Sequence, residues 1–71
     1  MVDQAVIKDK LIKKLKSISD DREFILSVIN HAWHIDDRKA IINYIDNDKN
    51  VNYESIILLS ISLYENREKR E

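Results

Sequence analysis

Two histidines three positions apart, His31 and His34, stand near Asp36 and Asp37, a grouping with the residue types of a metal site. Imidazoles at that spacing on one helix face can ligate zinc, but a site needs a third or fourth ligand in a rigid frame. The chain has no cysteine to supply one. The pair reads instead as solvated histidines near a helix C-terminus, where positive charge is favoured. No metal and no other cofactor is expected. Nucleophilic chemistry is equally poorly supplied. Ser17, Ser19, Ser27, Ser55, Ser60 and Ser62 read as caps, turns and small packing residues, because there is no glycine to form a nucleophile elbow or a phosphate loop. A chain of 71 residues scarcely encloses a pocket of roughly several hundred Å³. The expectation is a non-enzyme with no small-molecule substrate.

Asp46-x-Asp48-x-Asn50-x-Asn52 places oxygen-bearing side chains at alternate positions and resembles the first half of an EF-hand calcium loop over seven residues. Val51 stands where that loop needs glycine for its sharp turn, and Ile57 where it needs a bidentate glutamate. The segment reads as an Asx-rich turn, its side chains bonding nearby backbone and tolerating left-handed φ, with Asn52 capping the helix that follows.

Basic residues offer a different chemistry. Lys8, Lys10, Lys13, Lys14 and Lys16 stand against Asp9, a local balance of five minus one, or +4. Such a helix can grip phosphates without reading sequence. The second and third helices, joined by a short turn, could also form a helix-turn-helix with Arg38, Lys39 and Asn43 on the recognition helix. Lys10, Lys13, Lys14, Arg38 and Lys39 are therefore the candidate nucleic-acid contacts. Against them, the lysines wrap most of the first helix's polar circumference, and Asp36 and Asp37 would face the negatively charged groove. A solvated lysine face is the favoured reading. The net charge of −1 creates no overall pull toward nucleic acid or an anionic membrane.

The elements that must position these residues follow from an absence. The chain contains no glycine and no proline, where average usage would supply roughly eight. Helices joined by Asp, Asn and Ser turns are expected: an all-α bundle of three to four helices in one domain over residues 1–71. A first helix over 3–17 carries Ile7, Leu11, Leu15 and Ile18 on one stripe, with Asp3 as N-cap. A second begins at Ser19-Asp20-Asp21, with capping-box spacing from Asp20 to Glu23. It carries Phe24, Ile25, Val28, Ile29, Ala32 and Trp33. A third starts after Asp36 with Ala40, Ile41, Tyr44 and Ile45. The segments 20–29 and 36–45 share Asp-Asp-Arg and matched isoleucines, as a weak repeat. A fourth helix runs from 53 to about 69. Ile57, Ile61 and Tyr64 form one face and Ile56, Leu59 and Leu63 another, with Ser60 between. Its apolar arc covers about half the circumference, which marks it as the most buried helix or as half of a subunit interface. Positions 57–64 also alternate as a strand would, but the charged continuation favours helix.

A bundle this small cannot enclose every apolar side chain. Leu26 and Ile42 fall at the edge of their arcs, Ile12 lies off its stripe, and Leu58 sits among Glu54, Ser55, Ser62 and Glu65. Several such residues together suggest a docking surface, with Trp33, Leu58, Leu63 and Tyr64 as candidate partner contacts. The expected function is a small protein–protein interaction module, an adaptor, inhibitor or regulatory subunit. Its partner is another protein or a second copy meeting it through the fourth helix, and nucleic acid is the alternative. A cytoplasmic location is expected, since the first residues lack a signal peptide's basic and apolar regions. No membrane partner is expected either, because the longest apolar run, 56–59, is far short of the ~20 residues of a span.

Overall fold

Each helix forms where apolar spacing meets a capping side chain. In the computed structural model, which describes residues 4–48 and 50–70, these are α1 (Gln4–Lys16), α2 (Arg22–His31), α3 (Ile35–Asn47) and α4 (Tyr53–Arg70). No strand occurs among the described residues, so the alternation at 57–64 is overruled by a continuous α4. None of the helices is long and apolar enough to cross a membrane. Asp3, expected to cap α1, and Lys49, within the Asx-rich turn, lie outside the described residues.

The caps revise two expected boundaries. Asp21, not Asp20, caps α2: its backbone is extended and its carboxylate accepts the Glu23 N–H at 3.0 Å. Ser19 Oγ holds Asp21 in place by accepting its N–H at 3.2 Å. α3 starts at Ile35 because His34 is its N-cap, with Nδ1 accepting the Asp36 N–H at 3.1 Å. At the other end of α3, Asp48 Oδ1 accepts the Asn50 N–H at 2.9 Å, which is the expected Asx turn. Asn52 caps α4 as expected. Its Oδ1 accepts the Ser55 N–H and the Ser55 hydroxyl donates to the Asn52 carbonyl, both at 2.9 Å. No described residue has positive φ, so the α1–α2 and α2–α3 connections close without left-handed backbone.

α1 and α4 each pack against both α2 and α3, with α1 chiefly on α3 and α4 chiefly on α2. The core between them is Leu11 and Leu15 from α1, Phe24, Ile25, Val28 and Ile29 from α2 with Ala32 just beyond it, Ile41 and Ile42 from α3, and Ile56 from α4. This corrects the expectation that the fourth helix is the most buried. α2 holds that place, with Phe24, Ile25, Val28 and Ile29 buried out of its ten residues. Among its described side chains, α4 buries only Ile56 and Ser60 completely. Ser60 Oγ returns its hydrogen bond to the Ile57 carbonyl at 2.8 Å, so a small polar residue sits on the inward stripe with no unsatisfied group. Ile57, Leu59 and Leu63 pack on the core only in part. Ile42, expected at an edge, is buried, while Ala40 is exposed.

The apparent repeat also separates in three dimensions. Arg22 is exposed at the start of α2, whereas its counterpart Arg38 is buried in α3. Asp21 caps a helix, whereas Asp37 is buried inside one.

Candidate functional site

α4 presents its outer face because its register is set from below. With Asn52 as cap, Ile56 and Ser60 turn inward, and Leu58, two residues from each, must turn outward. Leu58 is 68% exposed, the most exposed of the large hydrophobic side chains that face solvent, and Tyr53 on the first turn is 46% exposed. Tyr53 is anchored by the core, its ring edge-on to Phe24 at a centroid distance of 5.4 Å. Together with Glu54 and half-buried Ile57 they line an open depression of about 260 Å³. The surface is apolar where it is concave, with one carboxylate at its margin.

The other three residues expected to contact a partner lie at the far end of α4 and are engaged with the fold. Leu63 is half-buried against the core. Tyr64 stands edge-on to His31 at 5.4 Å, and its hydrogen bond to Glu68, with the charge of that carboxylate and some desolvation, pushes the phenol pKa up. Trp33 is 48% exposed but lies outside α2, in the α2–α3 connection. Arg67 covers its ring at 5.9 Å, and the His34 ring meets its edge at 5.6 Å. Arg67 is held by a bidentate pair with buried Asp37, Nε donating at 2.6 Å and Nη2 at 3.1 Å. That hydrogen bonding raises the guanidinium pKa above its ordinary value. Trp33 thus lies half-exposed beneath Arg67, beside the Asp37–Arg67 pair that joins α3 to α4.

The basic candidates divide in the same way. Lys10, Lys13 and Lys39 are exposed. Lys14 bridges α1 to α3 through an ion pair with Asp46. Arg38 is 8% exposed and gives its donors to the fold: Nε to the Ala32 carbonyl at 2.7 Å, Nη2 to the Ile29 carbonyl at 3.3 Å and Nη1 to Gln4 Oε1 at 3.1 Å. Burial pushes its guanidinium pKa down. It caps the C-terminal carbonyls of α2, where a helix leaves acceptors unsatisfied and favours a cation. A recognition-helix role for Arg38 is incompatible with that burial.

The histidines are likewise structural. His31 is half-buried, its Nδ1–H donating to the Ser27 carbonyl at 2.7 Å. His34 spends its Nδ1 lone pair on the α3 cap. Neither is a solvated residue at a frayed α2 end. Among the described residues, no three His, Cys, Asp or Glu side chains converge as a metal site would need.

Sequence reasoning singled out Leu58 but not Tyr53. The available signal was position: an aromatic directly after a cap has no preceding helical turn to cover it. No protein-family model, curated protein or solved structure matches this chain.

Proposed function

We propose that this chain is a small, non-enzymatic interaction module of the cytoplasm that docks another protein on the outer face of α4. The observation that carries this reading is Leu58, 68% exposed beside the Tyr53–Glu54–Ile57 depression. An isolated exposed leucine needs no explanation. One flanked by a half-exposed tyrosine and a half-buried isoleucine around a concavity has the makings of an interface centre, where burying a few large side chains supplies most of the affinity. Lys10 and Lys13, exposed on α1 and free of the ion pair that occupies Lys14, support phosphate contact by α1 as the second reading.

The test is a pull-down from the native host's lysate with tagged wild-type and Leu58→Ser chains, each split into nuclease-treated and untreated halves. A protein held by the wild type in both halves and lost from Leu58→Ser, with the helical circular dichroism unchanged, supports docking at α4. Capture that vanishes with nuclease and is indifferent to Leu58→Ser moves the function to α1.

A further inference from the structure

The outer face of α4 carries a second pattern beyond its exposed leucine. Glu54, Leu58, Ile61, Glu65 and Glu68 follow one another at spacings of four, three, four and three. This is the spacing that keeps side chains on one seam facing a neighbouring helix. All are exposed except half-buried Ile61, and α4 uses the opposite stripe, through Ile56 and Ser60, for the core. The seam extends about 21 Å, or four turns. Its centre is apolar, and carboxylates stand at both ends. No lysine or arginine occurs between Lys49 and Arg67, so only Lys69, one turn beyond Glu65, can neutralise either Glu54 or Glu65 from within the helix. Neither makes an ion pair among the described residues.

We infer that this seam receives a basic amphipathic helix of another protein, whose apolar stripe covers Leu58 and Ile61 while its lysines or arginines meet Glu54, Glu65 and Glu68. The inference rests on the docking function proposed above and names its partner class. Charge decides among occupants. A second copy's α4 laid antiparallel sets Glu54 between Glu68 and Lys69 but Leu58 against Glu65; laid parallel, it sets each glutamate against its own copy. Both arrangements put like charges together or strand a carboxylate over leucine, which selects against self-pairing. A second copy's basic α1 would satisfy the charges. However, α1 keeps Leu11 and Leu15 buried in its own core and packs with α2 and α3 instead of α4, so that contact is heterologous, a ring or an open chain of copies, and offers Leu58 little apolar cover. Nucleic acid would meet a row of carboxylates. A basic helix matches the seam in length, apolar spacing and charge, the usual manner in which an amphipathic helix is held on an apolar surface.

The probe is a fluorescein-labelled Leu/Lys peptide of about 18 residues patterned as an amphipathic helix, roughly 27 Å long, titrated with the full chain and read by anisotropy. The control replaces every Lys with Glu. Saturable binding of the Lys peptide alone is expected. It should weaken at least ~10-fold in Leu58→Ser, at least ~10-fold in Glu54→Lys/Glu65→Lys, and further as salt rises. Circular dichroism melts of each variant verify the fold, and the single Glu65→Lys chain serves if the double variant melts early. Equal binding of the Glu peptide, or binding indifferent to these substitutions, overturns the inference. So does self-association of the chain alone in sedimentation equilibrium that Leu58→Ser abolishes, since it assigns the seam to a second copy. If the peptide fails to bind while Leu58→Ser still loses a protein in the lysate experiment, the partner class is wrong and the docking face stands. If Leu58→Ser loses nothing in either experiment, the docking face itself fails.

Discussion

α2 and α4 differ by nearly a factor of two in length, ten residues against eighteen, and the shorter one makes the core. α2 buries four residues and its capping Ala32 is buried as well. Asp21 closes its start, and Arg38, reaching over from α3, closes its end. α4 carries more apolar side chains, eight against five, yet among its described side chains buries only Ile56 and Ser60 completely. What separates them is which way those side chains turn. Each packs on two other helices, but α2 turns four of its five apolar residues inward, while α4 leaves Tyr53 and Leu58 exposed and Ile57, Leu59, Ile61, Leu63 and Tyr64 only half-buried. A wide apolar arc therefore marks a helix with two surfaces to satisfy, and in α4 the bundle satisfies only one of them.

The comparison can be broken most forcefully at Val28, which has no solvent exposure. Val28→Asp places an uncompensated carboxylate in the core at a cost of several kcal/mol, about the whole net stability of ~3–5 kcal/mol that a core this small supplies. The expected result is a chain with no cooperative thermal transition by circular dichroism. A variant that retains a wild-type melt would show that α2 is not the centre of the fold. Arg38→Met comes next. It keeps the aliphatic stem but leaves the Ala32 and Ile29 carbonyls without donors, and it should cost about 2–3 kcal/mol, measured by urea denaturation. A change below ~0.5 kcal/mol would mean that water replaces the guanidinium and that the end of α2 is open.

On α4 the expected effects are small by design. Leu58→Ser should alter the urea midpoint by less than the ~0.5 kcal/mol typical of surface substitutions. A larger loss would place Leu58 in the core and remove the contrast with Val28. The smallest effect belongs to Tyr64. Its pKa is raised chiefly by the hydrogen bond to Glu68, so the folded state favours the neutral phenol. The resulting stability is complete below the ordinary tyrosine value of about 10 and is lost as pH climbs through the higher folded value. Ultraviolet titration of tyrosinate should show a component above the ordinary range that disappears in Tyr64→Phe and moves down in Glu68→Gln. Titration unmoved by Glu68→Gln would show that Glu68 does not hold the Tyr64 phenol neutral.

The sequence exposed some of this site and hid the rest for identifiable reasons. Leu58 was legible because its neighbours one and two turns away, Glu54, Ser55, Ser62 and Glu65, are polar. Trp33 was misleading: its side chain suits either a helix's apolar face or an interface, and only the geometry puts it in a connection beneath Arg67. Arg38 looked like a phosphate contact because charged residues are exposed by default. Its actual acceptors lie six and nine positions away in sequence, on the α2 terminus. His34 reads from its spacing as a residue near the C-terminus of one helix, and it is the N-cap of the next.

By itself the sequence determined that the chain is helical, where its helices run to within a residue or two, that Asn52 caps the last of them, and which stripes are apolar. All of these depend on segments of about ten residues, through 3.6-residue periodicity, capping groups and the absence of glycine and proline. Only the tertiary structure decided that α2 and not α4 is central, that Arg38 and Asp37 are withdrawn from the surface, and that α4 keeps an apolar, acid-flanked seam. Those outcomes depend on which helices stand on either side of a given one, and a helix's own residues do not carry that information.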